Sequence, residues 1–263
     1  MSERHESGTI ERDGASIAYI DQGEGTPVVL LPGMSLDISY LGRLADALAA
    51  DGLRPVRVGS RQPPSDPDAA VTMHDLADDV NAVLTALDLP PAWVAGHAFG
   101  NRVARAVALD HPDRVAGVIL LAAGGTVQPS PEASDALRIA FSDVPRDQGV
   151  KAMEYMVGDP ADAESAYDAI MKASHPELGA MQHRATTDTP QDEWAALAPG
   201  KPVLIIQGTN DRMAPPANGE QLAKAAPDQV ALAWIQGAGH LFAFLHPDQT
   251  AKDIVGYIKD HAG

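Results

Sequence analysis

Gly96-His97-Ala98-Phe99-Gly100 follows the short apolar run Ala92-Trp93-Val94-Ala95 and precedes a helical pattern from Asn101 to Asp110. A strand, a glycine-flanked turn and a helix succeed one another here. Glycines at both ends let the turn tighten, because a Cβ there would meet the neighbouring strand and helix. The central residue, Ala98, is held out at the end of its strand, under a helix N-terminus. Open α/β sheets build their sites at such carboxyl ends of strands. Ala98 itself carries no nucleophilic atom.

Outward from that turn, apolar runs alternate with helical patterns. Asp13-Gly14, between Thr9 to Arg12 and Ala15 to Asp21, is a hairpin signal. Pro27-Val28-Val29-Leu30-Leu31 is a continuous apolar run, the mark of a strand buried on both faces. It ends in the loop Pro32-Gly33-Met34-Ser35. A helix is expected from Ile38 to Ala50, a strand over Leu53 to Val58 and a loop over Gly59 to Ala70. Thr72 and Asp75 form a capping box for a helix from Met73 to Leu87. Strands follow at Val115 to Leu121, Val203 to Gln207 and Val230 to Ile235, with helices from Asn218 to Ala225 and from Pro247 to His261. This rhythm predicts a doubly wound, mostly parallel α/β sheet with helices on both faces. It is interrupted over 125–199, which holds only helical patterns and is too long for a plain loop. The expectation is one core made of 1–124 and 200–263, with 125–199 inserted as a helical cap.

The 263 residues include 36 acidic and 19 basic side chains, a formal net charge of −17. That balance argues against nucleic acid, whose phosphates call for clustered Lys and Arg, and against an anionic membrane surface. No apolar run reaches the roughly 18 residues of a membrane span, and Met1-Ser2-Glu3-Arg4-His5-Glu6 lacks the apolar region of a secretory signal. Cysteine is absent, which removes disulfides and thiolate chemistry; a cytoplasmic location is expected. No His, Asp and Glu spacing suggests a metal site. Gly23-Glu24-Gly25 does not lie between a strand and a helix, so it is no dinucleotide fingerprint. The expected partner is a small-molecule substrate, with no cofactor and no metal, and a homodimer is compatible with the chain.

Three further places fall just after predicted strands: Gly33-Met34, Asp211 in Gly208-Thr209-Asn210-Asp211-Arg212, and His240 in Gly237-Ala238-Gly239-His240. The order of turn, acid and histidine along the chain is that of the α/β-hydrolase triad, whose nucleophile elbow reads G-x-S-x-G between a strand and a helix. Over essentially its whole length the chain resembles an α/β-hydrolase-fold protein of the small, capped, esterase, lactonase or dehalogenase-like kind. The resemblance implies residue 98 as the nucleophile position, Asp211 as the triad acid and His240 as the base. It also implies an oxyanion hole made by the backbone N–H groups of Met34 and Phe99. The chain departs from the family pattern at three points. Ala98 stands at the nucleophile position, Pro32-Gly33 replaces the common His-Gly, and Val58-Gly59-Ser60-Arg61-Gln62 replaces the usual Asp-x-Arg-Gly-x-Gly.

Residue 98 leaves the chemistry open. If the alanine stands in for a serine, the scaffold belongs to an acyl-transfer enzyme for a small ester or lactone, silenced in this chain. If it is native, Asp211 and His240 still form a general base beside an anion hole. Such a base serves water activation, lyase or isomerase steps, or cofactor-free chemistry. A third reading is a non-catalytic small-molecule binder, against which the retained acid and base count. Substrate contacts are expected from Ser35 and Arg61 on loops at the active edge. Others are expected from the cap residues Phe141, Tyr155, His183 and Trp194, whose aromatic rings suit an apolar pocket. His97 is expected to pack in the core and to point away from the site.

Overall fold

The computed structural model describes residues 5–64 and 70–261. Residues 1–4, where no secretory signal is expected, and residues 65–69 of the loop expected over 59–70 lie outside the described residues. The chain opens with a hairpin of β1 (His5–Arg12) and β2 (Ala15–Gln22). Asp13 and Gly14 turn it with φ of 51° and 74°, the double positive φ that a tight two-residue hairpin loop needs. There follow β3 (Thr26–Leu31), α1 (Gly42–Ala50), β4 (Leu53–Val58), α2 (Met73–Ala86), β5 (Ala92–His97), α3 (Phe99–Asp110) and β6 (Val115–Leu121). Residues 125–199 hold α4 (Pro131–Ala140), α5 (Arg146–Met153), α6 (Ala163–Ala173) and α7 (Pro176–Asp188), and no strand. The core resumes with β7 (Val203–Gly208), α8 (Ala217–Ala225), β8 (Val230–Ile235), the single turn α9 (Phe242–Leu245) and α10 (Pro247–Asp260).

The strands form one eight-stranded sheet in the order β1-β2-β4-β3-β5-β6-β7-β8. The β1–β2 and β2–β4 pairs are antiparallel, and every pair from β4 to β8 is parallel. Winding departs from β3 in both directions, so the crevice opens at the carboxyl ends of β3 and β5. Alternate side chains feed two cores. Val28, Leu30, Ile119 and Leu121 join α1, α10 and the helical insert, whereas Val29, Leu31, Val118 and Leu120 join α2 and α3. Among the described residues no helix is long and apolar enough to cross a membrane.

Three elements differ from expectation. β1 begins at His5, paired with Gln22, because an edge strand satisfies its backbone through the ladder whatever its side chains. α1 begins at Gly42 rather than Ile38. The residues before it are drawn into a loop, with Leu36 bridged to Ser174 of the insert and the Asp37 carboxylate accepting from Ser39 N–H at 2.7 Å. α9 is too short for its period to be read.

Candidate active site

The turn after β5 is built on backbone contacts. A Cβ on Gly96 would collide with the Gly100 carbonyl oxygen, and one on Gly100 with the Leu31 carbonyl oxygen. Neither obstacle can rotate away. Gly96→Ala is therefore expected to destabilise the chain by at least about 2 kcal/mol, read as a lowered urea midpoint. Ala98 sits at φ 50°, ψ −107°, a conformation that strains a residue bearing a Cβ. Its N–H donates to the Leu121 carbonyl at 3.0 Å. Asn101 Nδ2 clamps α3 to the end of β6 by donating to the carbonyls of Leu121 and Ala122, each at 3.0 Å. Ala98 is half-buried between buried neighbours. Phe99 is the first residue of α3, so its N–H has no partner inside the helix. The loop after β3 lies alongside: a Cβ on Gly33 would stand 3.9 Å from Ala98 Cβ.

Asp211 and His240 meet across the ends of β7 and β8, with His240 Nδ1 2.9 Å from Asp211 Oδ2. A carboxylate oxygen accepts, so Nδ1 donates, and in the neutral ring Nε2 then carries the lone pair. The other oxygen, Oδ1, accepts the N–H groups of Met213 and Ala214 at 2.8 Å each, and the acid side chain is wholly buried. Gln207, unremarked in the sequence, is fully buried beside it. Its amide donates to the Ala214 carbonyl at 2.6 Å and to Asp211 Oδ2 at 3.4 Å, and accepts from Ala123 N–H at 3.0 Å. The glycines before His240 have a packing cause. A Cβ on Gly239 would strike the Val157 backbone, and one on Gly158 would strike the Gly237 carbonyl. Leu241 N–H donates to the Met156 carbonyl at 3.2 Å, so the histidine loop seats backbone to backbone on the insert.

His97 is buried, as expected, but it does not turn away from the site. Its ring centroid lies 4.9 Å from that of His240 and 5.3 Å from that of Tyr40. Its Nε2 donates to the His240 carbonyl at 2.9 Å. The side-chain alternation that separates residue 97 from residue 98 ends where the strand does. Burial, and then the neighbouring His240, keep His97 neutral, with its pKa brought down from 6.5 to about 3. Between those two values the unfolded chain takes up a proton here that the folded chain refuses. Stability is therefore lost as pH falls through that window, by about 1.4 kcal/mol per unit. Urea unfolding between pH 7 and 4 is expected to show a slope smaller by about one proton in His97→Gln than in the parent chain. Tyr40, also unremarked in the sequence, is buried against His97, with burial and then the Asp211 charge raising its hydroxyl pKa.

The expected substrate contacts divide. Arg61 is a correction: its guanidinium makes two 2.6 Å hydrogen bonds to Asp79 of α2. Both residues are buried, so the pair ties a loop to a helix. His183 is exposed. Its neighbour Gln182 faces inward instead, its Oε1 accepting from Ser35 N–H at 2.8 Å and its Nε2 donating to Ser60 Oγ at 2.7 Å. Trp194 is buried in the α2–α3 core, with its Nε1 donating to the Thr189 carbonyl at 3.3 Å. Ser35 is half-buried with its hydroxyl against Gly179 of α7. Tyr155 is half-buried beside the acid loop, with the Arg212 guanidinium 5.2 Å from its ring centroid. Phe141 is half-buried against the core shared by the insert.

Fold and site together define a doubly wound α/β protein with an acid–histidine pair at its strand ends. The model of the Alpha/beta hydrolase family matches residues 28–253, and the chain belongs to that family. It is 26% identical to the 2-hydroxymuconate semialdehyde hydrolase of Pseudomonas sp. (strain CF600), over 74% of each chain. It is 27% identical to the non-heme chloroperoxidase of Streptomyces lividans, over 94% of this chain and 97% of that one. Among solved structures it is similar to a thermophilic esterase from Thermogutta terrifontis, with a TM-score of 0.74, 25% identity and all of both chains covered.

Proposed function

We propose that this chain hydrolyses a small carbonyl compound, an ester or lactone, with water activated by His240 and no covalent intermediate at residue 98. The observation that carries the reading is the buried 2.9 Å Asp211–His240 hydrogen bond retained in a chain whose turn residue is Ala98. A buried carboxylate is unfavourable unless its acceptors are used. Here they are spent on two backbone amides, the imidazole and, at 3.4 Å, the Gln207 amide, an arrangement that fixes the ring as a general base requires. A water beside the Ala98 methyl gives its proton to His240 Nε2 as its oxygen attacks the carbonyl carbon. The N–H groups of Met34 and Phe99 receive the oxyanion. The bond to the leaving alkoxide then breaks, and the imidazolium returns the proton to it. The helical insert 125–199 acts as the cap, with Ser35, Phe141 and Tyr155 as substrate contacts, and the enzyme works in the cytoplasm. The hydrolytic names of two relatives support the reaction class.

The test uses the chain as it stands. Slow turnover of p-nitrophenyl esters or a lactone is expected, with no labelling by a fluorophosphonate. Labelling of the unaltered chain, or turnover that survives His240→Ala, contradicts the proposal.

A further inference from the structure

Two arginines one turn apart on α3, Arg102 and Arg105, converge on the segment that leads from the insert back to the core. The Arg102 guanidinium carbon lies 5.7 Å from the Trp194 ring centroid. Arg105 Nη1 donates to the Ala195 carbonyl at 3.3 Å. Arg105 is only 8% exposed, and its Nε is buried without an acceptor. Arg102 is half-buried. Among the described residues neither has a carboxylate in reach. Burial alone weighs on Arg102, and burial followed by the positive charge of Arg102 weighs on Arg105, whose pKa falls to about 10. At neutral pH both remain charged.

Two acidic side chains of the same two segments are engaged elsewhere. Asp110 and Glu193 both bond the His74 ring, at 2.8 and 2.9 Å. With 36 acids to 19 bases, this chain has carboxylates to spare, yet two adjacent guanidiniums are left without one. Withdrawing a charge from water without a partner is unfavourable, and an anion supplied from solution removes that penalty.

From this juxtaposition we propose that Arg102 and Arg105, with Trp194 as an apolar wall, bind a small dianionic oxyanion, either a phosphate monoester or a dicarboxylate. Guanidinium forks bond either one through paired N–H groups. The site is separate from the Asp211–His240 pair, so it stands or falls independently of the hydrolytic reading. A bound anion would join α3, whose first residue follows Ala98, to the segment leaving the insert.

Calorimetric titration of the full chain with inorganic phosphate, and separately with succinate, at ionic strength held constant with chloride, tests the proposal. Saturable binding of at least one is expected, weakened about tenfold or more in Arg102→Gln and in Arg105→Gln. Binding of phosphate alone assigns a phosphate monoester, and binding of succinate alone assigns a dicarboxylate. Arg102 is half-buried, so Arg102→Gln keeps the test valid if Arg105→Gln fails to fold. Saturation by neither anion, or unchanged binding in a folded Arg102→Gln chain, overturns the proposal.

Discussion

Ala98→Ser raises the hydrolysis of p-nitrophenyl acetate by about 10³-fold or more. The turn already holds residue 98 at φ 50°, so the new side chain adds one oxygen to a backbone that needs no rearrangement. His240 Nε2 has its lone pair and Asp211 holds the ring. On the proposed mechanism the hydroxyl gains this base, and a nucleophile fixed in place replaces a mobile water. A burst of about one p-nitrophenol per chain should precede the steady state, because the acyl group now resides on the protein. A gain below tenfold in a folded variant means that base and turn do not address a common point.

The second large effect is loss. His240→Ala lowers the turnover of the unaltered chain by about 10² to 10⁴, the usual contribution of a positioned base. Asp211→Asn approaches the same loss although it preserves the shape of the acid. An amide facing Nδ1 no longer enforces the tautomer with the lone pair on Nε2. The double variant is expected to be little worse than either single one, since the two residues act as a unit. Initial rates for the four chains measure this directly, and additive losses would mean that the residues work separately.

What was legible in the sequence was what rests on backbone and on chain order. Gly96 and Gly100 announce their turn because nothing with a Cβ fits there. Asp211 and His240 announce themselves by standing just after apolar strands of a parallel sheet. Roles that depend on partners remote in the chain were hidden. The carboxylate that engages Arg61 is Asp79, 18 residues on, and the register between that loop and α2 is invisible in a linear reading. Gln182 and His183 are adjacent on α7, and the helix turns about 100° between them. Which one faces inward depends on how α7 meets Ser35 and Ser60. The expectation that His97 points away from the site fails because it is the last residue of β5, where strand alternation ends. Gln207 looked like the polar end of a strand, although its amide braces the acid loop.

The most direct measurement is covalent labelling of Ala98→Ser by a fluorophosphonate, followed by mass spectrometry of the intact chain. Reaction requires an oxygen at the turn, a base to take its proton and donors for the phosphoryl oxygen, all at one point. The prediction is one label per chain, located at position 98, absent from the unaltered protein and lost when His240→Ala is added. A folded Ala98→Ser chain that remains unlabelled contradicts the account.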